Sequence, residues 1–198
     1  MKRITLAITG ASGSIYGIRL LQHLVGREIP VTLIPSRTGR EVSLHETGID
    51  PASPPSLRSR LGEMADLVTI RSNDDLFAPE ASGSHPSEGM VIAPCSMGTI
   101  GRIAHGISST LIERGADVML KERRPLILVP RETPLSVIHL ENLLTLARGG
   151  AVILPAMPAF YQRPETLDDL ADFVVGKILD QLGIPHTLFP RWGTENDR

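Results

Sequence analysis

Residues 4–25 read ITLAITGASGSIYGIRLLQHLV. A short apolar, β-rich run meets a glycine-rich turn and then a stretch whose apolar residues recur at helical spacing. This is the pattern of a buried strand feeding a helix. The same succession repeats down the chain. Further β-rich runs fall at 31–34, 67–70, 90–93, 126–129 and 151–154, and helical patterns at 14–25, 38–46, 57–64, 99–114, 135–147 and 164–182. None of the strand runs alternates polar with apolar, so each is expected to be buried on both faces. Alternating strand and helix predicts an α/β fold of a single domain, a parallel sheet with helices on both faces, in which ligands lie beyond the carboxyl ends of the strands.

Composition narrows the partners. The chain has 198 residues, 41% of them apolar, and a formal charge of -2. That supplies one sizeable core and no basic field for nucleic acid. One cysteine, Cys95, excludes an intrachain disulfide, and six histidines without a cysteine set give no zinc spacing. The apolar run at 4–8 is too short for a signal peptide or membrane span, so a cytoplasmic location with no membrane partner is expected.

Chemistry is expected where the strands end. There the chain reads TGASGS (9–14), PSRTGR (35–40), PCSMGT (94–99), PRETP (130–134) and PAMPAFYQRP (155–164). Gly10 and Gly13 permit a tight turn, and Ser12 can donate to an anion, most naturally a phosphate, at the N-terminus of the following helix. The spacing is not the dinucleotide GxGxxG, and the second strand ends in Ser36 and Arg37 rather than an acid for a ribose diol. A mononucleotide such as FMN fits better than NAD. Ser96 and Thr99 read as helix caps or flavin hydrogen-bond donors, and Cys95 as a buried small thiol rather than a nucleophile.

Two charged groups need separate readings. Asp168, Asp169 and Asp172 match the DDxxD spacing of magnesium-dependent prenyl synthases, but just after Pro164 they fall in the early turns of a helix, where negative charge complements the dipole. No metal site is expected there. Arg114, Lys121, Arg123, Arg124 and Arg131 lie within eighteen residues, followed by Tyr161 and Arg163. Such a group suggests convergence on a small phosphate. Glu132 beside Arg131 is either its ion-pair partner or an acid/base.

GASGSIYGIRLL (10–21), PCSMGTI (94–100), the segment 111–184 with LKERRPL, RETP and PAFY, and the terminal PRW (190–192) together resemble the flavin prenyltransferases of the UbiX/Pad type. The resemblance implies a Rossmann-like flavoprotein fold, FMN as cofactor and a dodecamer built of trimers. It implies transfer of dimethylallyl from dimethylallyl monophosphate to N5 and C6 of reduced FMN, without metal, giving prenylated FMN for a UbiD-type decarboxylase, as in ubiquinone biosynthesis. By position it puts Gly10, Ala11, Ser12, Ser36, Ser96, Met97, Thr99 and Arg114 around FMN. Lys121, Arg131, Tyr161 and Lys177 fall on the prenyl phosphate, Lys177 from a neighbouring subunit. Ser12 and Glu132 would handle protons, and Glu46, Leu76 and Trp192 would shape the pocket, Leu76 standing where the family often has Trp. The alternatives are an FMN-dependent decarboxylase of the cysteine-peptide type and a non-catalytic flavin carrier.

Overall fold

The computed structural model, which describes residues 3–190, buries the four inner strands on both faces, but the runs at 67–70 and 151–154, expected to be buried as well, form edge strands that are only half-buried because they lie at the margins of the sheet. The strands are β1 (Ile4–Ile8), β2 (Val31–Pro35), β3 (Val68–Ile70), β4 (Gly89–Cys95), β5 (Leu126–Pro130) and β6 (Val152–Ile153). They form one parallel sheet in the order β3-β2-β1-β4-β5-β6. Among the described residues seven α-helices accompany them, six between strands and one after the last: α1 (Ser14–Val25), α2 (Arg37–Thr47), α3 (Pro54–Leu61), α4 (Met97–Ala104), α5 (Leu111–Lys121), α6 (Val137–Arg148) and α7 (Leu167–Gln181).

The two-residue period of a strand divides the core. Leu6, Ile8, Val91, Ala93, Ile127 and Val129 face α1 and α7, packing on Leu20, Leu24, Val174 and Ile178. Their neighbours Ala7, Met90, Ile92, Leu126 and Leu128 face α4 and α5, packing on Ile100, Leu111, Ile112 and Val118. Successive side chains point to opposite faces, so a continuous apolar run fills two layers at once.

The order reverses between β1 and β4. Turns leaving these adjacent strands diverge to opposite faces of the sheet and open a crevice at its carboxyl edge. One threonine ties the two turns together: the Thr9 hydroxyl donates to the Pro94 carbonyl at 2.9 Å and accepts from the Ser96 amide at 2.8 Å.

The helix expected over 99–114 is two helices. α4 ends at Ala104, Gly106 follows with φ +68°, and α5 begins after Thr110. Gly106 adopts the left-handed backbone that stops a helix, and Thr110 with Glu113 makes a capping box that starts the next. Helical periodicity spans the break because both helices bury the same face. The helix expected over 57–64 starts earlier, at Pro54 behind the Ser53 cap, and passes into a 3-10 segment at Gly62–Leu67. α6 carries an apolar outer side, with Val137 70%, Ile138 67%, Leu140 53% and Leu144 50% exposed.

Candidate active site

A cavity of about 360 Å³ opens at the crevice, lined by Thr9, Gly10, Ser36, Arg37, Thr38, Asn73, Ser96, Thr99, Arg102, Thr110, Ile112 and Glu113. Three helix N-termini reach it. Ser36 caps α2, its hydroxyl accepting from the Gly39 amide at 3.0 Å. Ser96 caps α4, accepting from the Thr99 amide at 3.4 Å while its hydroxyl pairs with that of Thr99 at 3.0 Å. Thr110 caps α5.

The caps differ in what they leave unsatisfied. In α5 the first amides are taken by Asn73, whose backbone carbonyl accepts from Leu111 at 2.8 Å and whose side chain accepts from Ile112 at 3.0 Å. In α2 and α4 the amides ahead of the capped ones, those of Arg37, Thr38, Met97 and Gly98, have no acceptor among the described residues. Two adjacent helix ends with unspent amides, flanked by hydroxyls and arginines, have the chemistry that suits an anion. The walls also leave no room beside Gly10: a Cβ there would stand 2.6 Å from the Thr38 methyl.

The anion expected at the start of α1 is already present, and it is a side chain. The Glu46 carboxylate accepts from the Gly13 amide at 3.0 Å and the Ser14 amide at 2.8 Å. Burial works against the charge, yet hydrogen bonds from the Ser12 hydroxyl and these amides prevail and hold the carboxyl below its usual range. The phosphate reading of TGASGS therefore moves from α1 to the neighbouring ends of α2 and α4. Arg131 joins this rim, its Nε donating to the Ser12 carbonyl at 3.1 Å, and Glu132 lies beside it, accepting from the Thr133 amide at 3.0 Å.

The cationic set does not converge within one chain. Lys121 ends α5 and precedes β5, whereas Arg131 follows β5, so a strand of roughly 16 Å separates them. Lys121 pairs with Glu122 at 2.5 Å. Arg124 donates to the carbonyls of His85 and Gly83, and Arg114 to that of Ala81 and to Asp117. Arg114 thus clamps the loop ahead of β4 and does not line the cavity. Lys177 lies on α7 with its ammonium 5.6 Å from the Phe173 ring centre and 5.3 Å from that of Phe189, and Tyr161 meets Phe173 edge-on at 6.0 Å.

Ala11 and Met97 are buried at the turns after β1 and β4, and Leu76 is exposed on the loop beyond β3. Trp192 lies outside the described residues. Cys95 is fully buried, and burial pushes its thiol far above the usual range, which removes it as a nucleophile. Of the DDLAD acids, Asp169 closes the capping box of α7 by accepting from the amide of its cap residue Thr166, while Asp168 and Asp172 pair with Arg19 of α1. Among the described residues no His, Cys, Asp and Glu side chains group to hold a metal ion, and no helix is long and apolar enough to cross a membrane.

Sequence reading missed Thr9, Asn73, Arg102, Thr110 and Glu113. The capping box T-x-x-E at 110–113 was the available signal; Asn73 sits in a loop with no pattern to mark it.

The Flavoprotein family model matches residues 1–179. Flavin prenyltransferase UbiX of Halalkalibacterium halodurans is 54% identical over 194 residues, which cover 98% of this chain and 94% of that protein. The chain belongs to the UbiX family of flavin prenyltransferases. Two solved UbiX-type structures agree in architecture. The crystal structure of AnUbiX (PadA1) in complex with FMN and dimethylallyl pyrophosphate matches with a TM-score of 0.89 at 42% identity, covering 97% of each chain. That of a dodecameric FMN-dependent UbiX-like decarboxylase from Escherichia coli O157:H7 matches at 0.86 and 41% identity, covering 96% of this chain and 98% of that one.

Proposed function

We propose that this chain transfers a dimethylallyl group from dimethylallyl monophosphate to N5 and C6 of reduced FMN. The observation that carries the flavin site is the pair of unspent helix ends at the cavity. The amides of Arg37, Thr38, Met97 and Gly98, with the hydroxyls of Ser36, Ser96 and Thr99, would hold the FMN phosphate, and Gly10, Ala11 and Ser12 would border the flavin. Bound there, reduced FMN supplies the electron-rich ring that accepts the prenyl group. Ser12, held near Glu46, and Glu132 stand at the same edge to take and return protons. Leu76 gives the prenyl pocket an aliphatic wall.

A monophosphate leaves less readily than a diphosphate, so fixed cations and a phenol must stabilise its developing charge without metal. Lys121, Arg131, Tyr161 and Lys177 supply that chemistry. Because Lys121 and Arg131 stand at opposite edges of the sheet, a site using both draws them from different subunits. The exposed apolar face of α6 and the dodecamer formed by the E. coli relative support a homo-oligomer, which we assign as a dodecamer of trimers. The product would pass to a UbiD-type decarboxylase in the cytoplasm.

A coupled assay tests this. The protein, FMN, reductant and dimethylallyl monophosphate are incubated anaerobically, and the filtrate is added to an apo UbiD-type decarboxylase. Decarboxylation should appear only with the complete mixture. CO2 release by this chain alone from a cysteine-type substrate would favour the decarboxylase reading, and flavin retention without transfer the carrier.

A further inference from the structure

We propose that Arg102 is a further phosphate-binding residue of the cavity, reading the charge of the flavin's terminal phosphomonoester, and that Glu113 is the positioning residue that aims it. This rests on the reading of the cavity as the FMN site.

The pair does not form the two-nitrogen fork that Arg19 and Arg40 make with their carboxylates; like Arg71 with Glu80, it uses Nε alone. Arg19 grips Asp172 with Nε at 2.8 Å and Nη2 at 2.5 Å, one nitrogen to each oxygen. Arg40 grips Asp50 in the same way, at 3.1 and 2.8 Å. Arg102 gives Glu113 its Nε alone. The second Glu113 oxygen is closed to it, because it accepts from the Ser109 amide at 2.9 Å and the Thr110 amide at 3.1 Å. Glu113 is 2% exposed and its carboxylate is thus fully engaged, locked into the start of α5.

The outer fork of the guanidinium remains. Nη2 makes one long bond, 3.4 Å, to the Thr99 hydroxyl, and Nη1 has no acceptor among the described residues. Nη1 also lies over the first turn of α4, since a Cβ on Gly98 would meet it at 3.5 Å. The fork therefore stands above the unspent α4 amides on the cavity wall, with the side chain 48% exposed. A carboxylate that engages Nε alone, with Nη1 lacking an acceptor among the described residues and Nη2 on one long bond, presents a planar donor pair to a second anion, the geometry that suits a phosphate. A solvated arginine would have no such anchor.

The test compares FMN with riboflavin, which lacks the phosphate, by titration of flavin fluorescence against wild type, Arg102→Gln and the double variant Arg102→Gln/Glu113→Gln. The double variant removes both charges together, so no unpaired carboxylate is left buried if the single variant folds poorly. The expected result is an FMN Kd raised about tenfold or more in both variants, as for loss of a charged hydrogen bond, with the riboflavin Kd unchanged. An FMN Kd equal to wild type overturns the assignment, and equal weakening of FMN and riboflavin overturns it in favour of a structural role. Wild type that discriminates FMN from riboflavin while the variants do so equally well defeats Arg102 alone; wild type that binds neither flavin defeats the cavity reading and the assignment with it.

Discussion

Asp172→Asn tests the structural reading of the DDLAD acids. Asp172 in α7 holds Arg19 through two bonds and His23 at 3.2 Å, staples α7 to α1, and is 15% exposed. Burial opposes its charge, but hydrogen bonds from His23 and Arg19 and the guanidinium's attraction bring the carboxyl down to about 2 from 3.8. At 1.36 kcal/mol per pH unit this corresponds to roughly 2 kcal/mol of stability, before screening by the remaining exposure trims it. For a chain of this length, about 2 kcal/mol lowers Tm by roughly 4–8 °C. The folded value is depressed, so the contribution is complete well above 3.8 and is lost as pH falls towards about 2. The assay is thermal unfolding at equal subunit concentration from pH 7 down to pH 2.5. Wild type and Asp172→Asn should differ most at neutral pH and converge in acid, with no change on adding magnesium or chelator. Equal Tm values at pH 7, or a wild-type Tm that rises with magnesium and falls with chelator, would refute the staple.

Four other outcomes follow from the same structure. Cys95→Ala should keep prenyl transfer near the wild-type rate, and native protein should resist alkylation, because the thiol is buried and un-ionised. Glu46→Gln removes the charge at the α1 N-terminus; transfer should fall at least tenfold while unfolding shifts by only about 1–2 kcal/mol, measured by single turnover and denaturation. Gly39→Ala would put a Cβ 2.3 Å from the Ile8 carbonyl, pushing α2 from the strand edge, and should abolish FMN uptake. Lys121→Ala and Arg131→Ala should each lose transfer, yet a mixed assembly of the two variants should regain part of it if each site draws these residues from different subunits; no recovery would argue for one chain.

The four inner strands were legible because burial on both faces leaves an unmistakable apolar run, and the start and end of α1 were readable from the turn at Gly13 and the end of its periodicity; the half-buried edge strands β3 and β6 are shorter. The division of 99–114 was not, because α4 and α5 continue one apolar rhythm and only Gly106 and the Thr110–Glu113 box mark the break. At the cavity, Ser96 and Thr99 were readable as caps that follow a strand, whereas Ser36 was noted at the end of the second strand and came to the site through the family resemblance. Asn73 and Arg102 were not: each reaches the cavity through tertiary packing, and Arg102 is aimed by a carboxylate eleven residues away. Lys121 and Arg131 are near in sequence but far apart within one chain, since an extended strand carries its two ends apart.

Anaerobic incubation of the purified protein with FMN, dithionite and dimethylallyl monophosphate, in the presence of chelator, followed by mass spectrometry of the extracted flavin, tests the central claim most directly. FMN should gain one C5H8 unit, with dithionite and the donor both required. FMN returned unchanged, with the monophosphate and with longer or diphosphate donors alike, would contradict it.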